Sequence, residues 1–254
     1  MEPAIDDKAL PPPEAPSTDA LWAFAELGRI KLGDNTMEHV LNRVAELAKL
    51  ALPHVQDVSV TLISRGRPTT AARTGDLARR LDESQYDAGY GPCLSAAKDQ
   101  TTHLIDDMST EERWPAFTAD AVAAGALSSL SVGMTLHDEV AGALNIYADT
   151  RGAFGQPSID LAQSFASYAG VTLTNASLYL ASAALAEQLT QAMASRAVIE
   201  QAKGILVAQR HVSPDEAFAI LSAASQAANR KLRDIAQAMV DGAASKANQH
   251  AASR

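Results

Sequence analysis

The sequence predicts an α+β protein in which an antiparallel sheet flanked by helices is followed by one long connecting helix and then a bundle of three short helices. Three observations predict it. Strand-like runs, either alternating or short and apolar between turn residues, occur only between residues 58 and 147. After Pro157 no proline occurs before Arg210, and only Gly170 and Gly204 interrupt an alanine-rich, helix-favouring run. Ser213, Pro214 and Glu216 then restart a helix as N-cap, first helical residue and capping-box partner.

Residues 1–18 hold Pro3, Pro11, Pro12, Pro13 and Pro16 among acidic and small residues and read as a disordered tail. Residues 19–156 form the larger domain. Leu21 to Ile30 and Met37 to Leu50 have amphipathic helical spacing, the second opened by Asn35 or Thr36. Val58 to Ser64 alternates as a half-buried strand, Arg65-Gly66-Arg67-Pro68 turns the chain, and Thr69 to Thr74 returns as its partner. Thr101 to Asp106 reads as a short strand and Pro115 to Ala124 as a helix stopped by Gly125. Ala126 to Leu136 and Val140 to Tyr147 read as a hairpin about His137-Asp138-Glu139. The expected domain is a sheet with helices packed against one face.

Residues 157–190 make the connecting element, part of a helical run far longer than the usual eleven residues or so. Val171, Leu178, Leu185, Ala192, Ile199 and Leu206 recur every seven residues, with Ala181 and Leu189 adding partial second positions, so the stripe resembles an imperfect coiled-coil seam. One small domain cannot bury such a stripe. Homodimerisation along it, with Leu21 to Ile30 alongside, is the expected solution; a helix that breaks near Ser182-Ala183-Ala184 and folds back within one chain is the alternative.

In residues 191–245, Val198, Ile199, Ala202, Ile205 and Leu206 form one helical stripe, and Lys203 and Arg210 share another face. The second helix is expected to bury Ala217, Phe218, Ile220, Leu221 and Ala224 and to end near Asn229. The third turns Leu232, Ile235, Ala236, Met239 and Val240 inward, leaving residues 246–254 as a tail. Arg230, Lys231 and Arg233 gather at its start, where the helix dipole favours anions and gives cations nothing. A bound anion such as phosphate accounts for them; a solvated basic corner is the other reading. From Thr190 onward 8 Lys or Arg stand against 5 Asp or Glu, a net +3, whereas the first 189 residues hold 13 against 25, a net −12. That asymmetry suits a nucleic-acid reader carried on an acidic regulatory domain.

Ala202-Lys203-Gly204, Glu216-Ala217-Phe218 and Asn229-Arg230-Lys231-Leu232 stand in the order found in the ANTAR domain, an RNA-binding module of bacterial transcription antiterminators. The C-terminal bundle resembles it. The resemblance implies a regulator that binds RNA stem-loops in nascent transcripts and prevents terminator formation, with Lys203, Arg210, Asn229, Arg230, Lys231 and Arg233 as the contact set. Arg and Lys would hold phosphates and Asn229 would read a base edge in an unpaired loop. A DNA-binding regulator using the bundle as a helix-turn-helix is the alternative.

A second resemblance rests on Gly91-Pro92-Cys93, Ile105-Asp106-Asp107, Arg113-Trp114-Pro115-Ala116-Phe117, Gly125-Ala126-Leu127-Ser128-Ser129 and Gly142-Ala143-Leu144-Asn145-Ile146-Tyr147. They stand in the order seen in GAF domains, particularly those fused to ANTAR modules in actinobacteria, and cover most of residues 35 to 155. The resemblance implies a sensory fold that binds a small molecule between sheet and overlying loops, or serves to dimerise. Tyr90, Cys93 and Trp114 are the candidate lining of that pocket; the effector is unknown and no cofactor is expected. Tyr90 and Trp114 read equally as core aromatics. Cys93 reads as an exposed redox-sensing thiolate or as a buried small hydrophobe. A redox enzyme of GAF type would have to use Cys93 without a second cysteine.

The remaining patterns exclude chemistry. Asp106, Asp107, Glu111 and Glu112 lack a glycine-spaced calcium loop, and the six histidines show no pair at zinc spacing, so no metal site is expected. Gly-x-Ser-x-Gly, phosphate-cradling glycine loops and paired catalytic carboxylates are missing; no catalytic residue is assigned and the chain does not read as an enzyme. A single cysteine permits no internal disulfide. With no basic segment leading into an apolar core at the N-terminus and no run of about eighteen apolar residues, the protein reads as cytoplasmic and without a membrane span.

Overall fold

Ser17 starts the first helix: its side chain accepts from the Ala20 amide at 3.1 Å and caps α1 (Thr18–Leu27), so the helix begins inside the segment read as a tail. The computed structural model describes residues 17–33, 35–136 and 140–252, and the surroundings of side chains as far as residue 245. The rest of the N-terminal tail lies outside the described residues. Thr36 caps α2 (Met37–Ala51) by accepting from the His39 amide. β1 (Asp57–Ser64) and β2 (Arg67–Arg73) pair across Arg65 and Gly66, both at positive φ. Two helices then follow that the sequence reading does not contain, α3 (Asp76–Ala88) and α4 (Pro92–Asp99). α3 is rich in charge and opens at Gly75 without a side-chain cap; α4 has Pro92 at its start but no side-chain cap and only 8 residues.

β3 (Thr102–Ile105), α5 (Pro115–Ala124), β4 (Ser128–Thr135) and β5 (Val140–Ala148) complete a five-stranded antiparallel sheet of order β2-β1-β5-β4-β3. Gly125, at φ 91°, ends α5 in a conformation that a side chain would strain. The turn expected at residues 137–139 lies outside the described residues. α6 (Gln156–Arg210), α7 (Pro214–Ala228) and α8 (Leu232–Ala252) follow, α8 continuing through residues read as a C-terminal tail. α6 is continuous through residues 182–184. The chain divides into two units, Met1–Leu180 and Ala181–Arg254.

Within the first unit, helices cover both faces of the sheet rather than one, and β1 is buried on both sides from Asp57 to Thr61. Val58, Val60, Leu130, Val132, Leu144 and Ile146 meet α1, α2 and the Ala162, Phe165, Ala166, Ala169 and Leu173 side chains of α6 in one apolar core. Truncating a fully buried ring such as Phe165 to alanine would cost roughly 3–5 kcal/mol. By length and composition α6 could also cross a membrane, contrary to the reading of the sequence; residues 161–186 contain no charged side chain. Asp57 ties α3 to this sheet. Its carboxylate accepts from Lys49 Nζ (3.3 Å), Thr74 Oγ1 (3.1 Å) and the Ala78 amide (3.3 Å), the last standing in for the cap that Gly75 lacks. A Cβ at position 75 would collide with that carboxylate.

The other face of the sheet is polar and equally buried. Ser59, Thr61, Ser129, Ser131, Asn145 and Tyr147 alternate with the apolar set, and the pairing register sets Ser59, Asn145 and Ser131 in one row and Tyr147 beside Ser129. α3 lays Asp82 onto this face, where the carboxylate accepts from Tyr147 Oη (2.8 Å) and Thr70 Oγ1 (2.8 Å). Burial raises the Asp82 pKa to about 6, against the opposing effect of hydrogen bonds from Ser59, Tyr147 and Thr70.

In the second unit Ala202 and Leu206 of α6, Ala217 and Leu221 of α7 and Ala236 of α8 form a small core, edged by Val198, Ile199, Ile220, Leu232, Ile235, Met239 and Val240. Phe218 and Ala224 are exposed, correcting the expectation that α7 buries them.

Because the Asp82 carboxyl is held protonated more strongly in the folded protein, the stability this contributes is complete below its ordinary pKa of 3.8 and is lost as pH rises through about 6. The interval corresponds to on the order of 3 kcal/mol. His103, whose pKa burial and Arg113 lower, acts with the opposite sign as pH falls, so the difference between two proteins is the useful reading. Urea unfolding of Asp82→Asn and wild type at pH 4.5 and 7.5 should show the variant gaining on wild type at the higher pH. Parallel pH profiles would contradict an ionising Asp82 in the core.

Candidate functional site

The basic residues of the second unit are placed by the two helix junctions. α6 ends at Arg210, where His211 adopts a left-handed conformation (φ 54°). Ser213 then accepts from the Glu216 amide at 3.2 Å while its own amide donates to Glu216 Oε2 at 2.9 Å, the reciprocal capping box that the sequence shows. α7 ends at Asn229 (φ 48°), a residue whose short polar side chain tolerates that region. The Arg230 amide donates to the Ser225 carbonyl (3.1 Å), the Ser225 hydroxyl donates to the Arg230 carbonyl, and the Lys231 carbonyl accepts the first amides of α8. The turn is therefore held by backbone, and its side chains are left outward.

Asn229, Arg230, Lys231 and Arg233 come together at this turn. Lys203 and Arg210, seven residues apart on α6, share a face of that helix about 10 Å apart along its axis. Among the described residues no hydrogen bond or ion pair joins the α6 pair to the turn. The six are also electrostatically unequal: Lys203 Nζ is paired with Glu200 (3.0 Å) and Arg233 Nε with Asp234 (3.3 Å), whereas Arg210, Arg230 and Lys231 make no ion pair among the described residues.

The first unit offers a different kind of site, the polar network beneath α3. Asn145 Nδ2 donates to Ser59 Oγ (3.1 Å) and Thr61 Oγ1 (2.9 Å); the Tyr86 hydroxyl lies 2.9 Å from Thr61 and 3.1 Å from Thr70. Gln85 Nε2 donates to Tyr147 Oη (3.4 Å), and Gln85 Oε1 accepts from the Cys93 amide (2.8 Å). No Lys, Arg or His is among the hydrogen-bond partners of Asp82. Ser129 Oγ, Ser131 Oγ and Asn145 Oδ1 are buried without a partner among the described residues. Buried atoms of this kind are ordinarily hydrogen-bonded.

No hydrogen bond or shared apolar cluster among the described residues joins the three pocket residues read from sequence. Tyr90 is exposed in the turn between Gly89 and Gly91. Cys93 is buried, joins the network through its backbone, and has its thiol pushed well up by burial and by Asp82. Trp114 lies in the core with Phe117 and Tyr147, its ring beneath Arg113 (4.5 Å) and edge-on to His103. Asp82, Gln85, Tyr86 and Asn145 escape a reading of the sequence. Their signal is faint but present: Asp82, Gln85 and Tyr86 recur at helical spacing, and polar residues alternate in strands whose apolar partners are already core. An open groove of about 520 Å³ beside α6, lined among others by Gln100, Thr102, Thr135, Gln163 and Asn175, shares no residue with the network.

Among family profiles, that of the GAF domain matches residues 34–174 and that of the ANTAR domain residues 187–240. None of the curated proteins matches the chain. Solved structures similar to it include the phycoerythrobilin-bound GAF domain of a cyanobacterial phytochrome, at 12% identity over 64% of this chain and 98% of that one with TM-score 0.51. The phycocyanobilin-bound GAF domain of a cyanobacterial phytochrome matches at 13% identity over 64% and 98% with TM-score 0.50. The reduced free methionine-R-sulfoxide reductase of Staphylococcus aureus matches at 15% identity over 62% and 96% with TM-score 0.48. Identities this low speak to fold alone. With a GAF profile covering more than half of the chain and an ANTAR profile over its C-terminal helices, the chain belongs to the GAF family and has the architecture of a GAF-ANTAR regulator.

Proposed function

We propose that the protein is a cytoplasmic transcription antitermination regulator. Its ANTAR domain, residues 191–245, binds RNA stem-loops in nascent transcripts, and its GAF domain, residues 19–156, adjusts that binding through a small molecule held at the buried polar network. The observation that carries the RNA reading is the α7–α8 turn: Asn229, Arg230 and Lys231 project from a backbone-locked corner, and neither cation is neutralised by an acidic neighbour among the described residues. Arg210, Lys203 and Arg233 complete the contact set, the last two after exchanging a carboxylate for a phosphate. Burial keeps Cys93 a thiol rather than the nucleophilic thiolate, which weighs against a redox enzyme.

Residues 157–190 serve as connecting and dimerisation element. Leu178 (48% exposed), Leu185 (57%) and Met193 (74%) lie on α6 and find no cover among the described residues, and Leu21 and Trp22 on α1 are exposed as well. A second copy supplies that cover. The same helix contributes Phe165 and Leu173 to the sheet's core, a use that requires no lipid.

RNA recovered from cells with the protein should contain paired stem-loops overlapping terminators; equal retention of duplex DNA would favour the helix-turn-helix reading instead. With a recovered hairpin, affinity should fall with salt, and Arg230→Ala or Lys231→Ala should each reduce the logarithmic slope by roughly 0.7 to 0.9, Lys203→Ala by less because Glu200 already offsets its charge. Unchanged slopes in folded variants would remove the turn from the interface. For the dimer, Leu178→Asp with Leu185→Asp places two charges in each half of the seam and should yield monomer by light scattering. A wild-type protein monomeric at micromolar concentration would refute it.

A further inference from the structure

Phe218 is the one large hydrophobic side chain between residues 194 and 245 that is substantially exposed, at 46%, among the described residues. A lone exposed ring needs no explanation in general. This one sits in a line. Phe218, Ser222 and Ser225 fall within an arc of about 60° on α7, along the flank of its buried Ala217 and Leu221 face. The Ser225 hydroxyl donates to the Arg230 carbonyl and its carbonyl accepts from the Arg230 amide, so the flank runs into the basic turn, with Asn229 capping its end. Phe218 stands about 10 Å up the helix from Ser225. From Ala217 to Arg233 the chain contains no acidic residue. The acids of α7, Asp215 and Glu216, lie in its first turn, and Glu216 is engaged by Ser213.

Ring, two hydroxyls, amide and two cations in succession, with no negative charge between them, match the parts of a single-stranded RNA segment: a base face to stack, sugar and base-edge groups to hydrogen-bond, phosphates to neutralise. A protein partner would be served by a continuous apolar patch, and this flank offers one ring among polar groups. We propose that Phe218 is the stacking platform for an unpaired base of the bound RNA loop, and that the face Phe218–Ser222–Ser225–Asn229 carries the loop while Arg230 and Lys231 hold the adjoining phosphates. The proposal rests on the RNA-binding reading and adds to it the residue that distinguishes a looped-out base from a plain helical stem.

The test uses the full-length protein and a pool of hairpin RNAs with a fixed stem and a randomised loop, from which a tight binder is selected. Phe218→Ala should weaken binding of that hairpin by roughly ten- to a hundredfold, while leaving the salt slope unchanged because no phosphate contact is lost. Phe218→Trp should retain affinity. Phe218→Leu, which keeps apolar bulk without a π-face, should behave like the alanine variant. With 2-aminopurine placed in turn at each loop position, one position should be quenched on binding wild type and not on binding Phe218→Leu. If wild type selects no hairpin, the RNA-binding reading fails and the stacking role with it. If wild type binds and the alanine and leucine variants bind within twofold of it, stacking alone is overturned. A change of oligomeric state in Phe218→Ala, with RNA affinity intact, would assign the ring to a contact between copies of the chain and overturn the proposal as well.

Discussion

α6 contributes Ala162, Phe165, Ala166, Ala169 and Leu173 to the core beneath the sheet and Ala202 and Leu206 to the core of the C-terminal helices. Neither core is complete without it. Most of these positions are alanine, and that is what lets the sheet and the short helices close against the helix surface. Several larger residues on α6, Leu178, Leu185 and Met193 among them, are left uncovered. The division of one helix between two cores follows from length: at 55 residues it exceeds what either unit can bury. An amphipathic helix draws most of its stability from packing rather than propensity, so the alanine-rich stretch between the cores has the least tertiary support.

The sheet shows a second constraint. With helices on both faces, alternation along β1, β4 and β5 separates an apolar side from a polar side, and both are buried. A buried polar face has to find its own hydrogen bonds. Thr70, Asp82, Tyr86, Asn145 and Tyr147 supply most of them to one another, at the expense of a carboxylate whose proton is held well above its usual range. A face made only to stabilise would be cheaper in Val and Ile. Three polar atoms without partners among the described residues, Ser129 Oγ, Ser131 Oγ and Asn145 Oδ1, place the unmet demand on β4 and β5, the latter also carrying Asp82's partner Tyr147.

The two ends of the protein handle polarity in opposite ways. The first unit buries many of its hydrogen-bonding groups between sheet and helix. The C-terminal unit locks its backbone at Asn229 and Arg230 and leaves the side chains of the turn exposed.

The sequence by itself determined the α+β class, all five strands, the capping box at Ser213, the left-handed stop at Asn229 and the basic cluster beside it, because each depends on neighbours within a few residues. The ANTAR and GAF resemblances were legible for a similar reason, as short strings in order. What only the tertiary structure decided was which surfaces are covered. Nothing local shows that α3 lies over the sheet, since its many charged residues obscure the buried set Ala78, Leu81, Asp82 and Gln85, so the Asp82 network and the second buried face were invisible. Cys93 and Phe218 make the point as a pair: a small thiol after Gly-Pro ended up sealed, and a phenylalanine at core spacing ended up in solvent. Helical spacing fixes which residues share a side of α7 but not how wide a stripe its neighbours reach, and that width, set by the alanine-sized core of the bundle, leaves the phenylalanine outside.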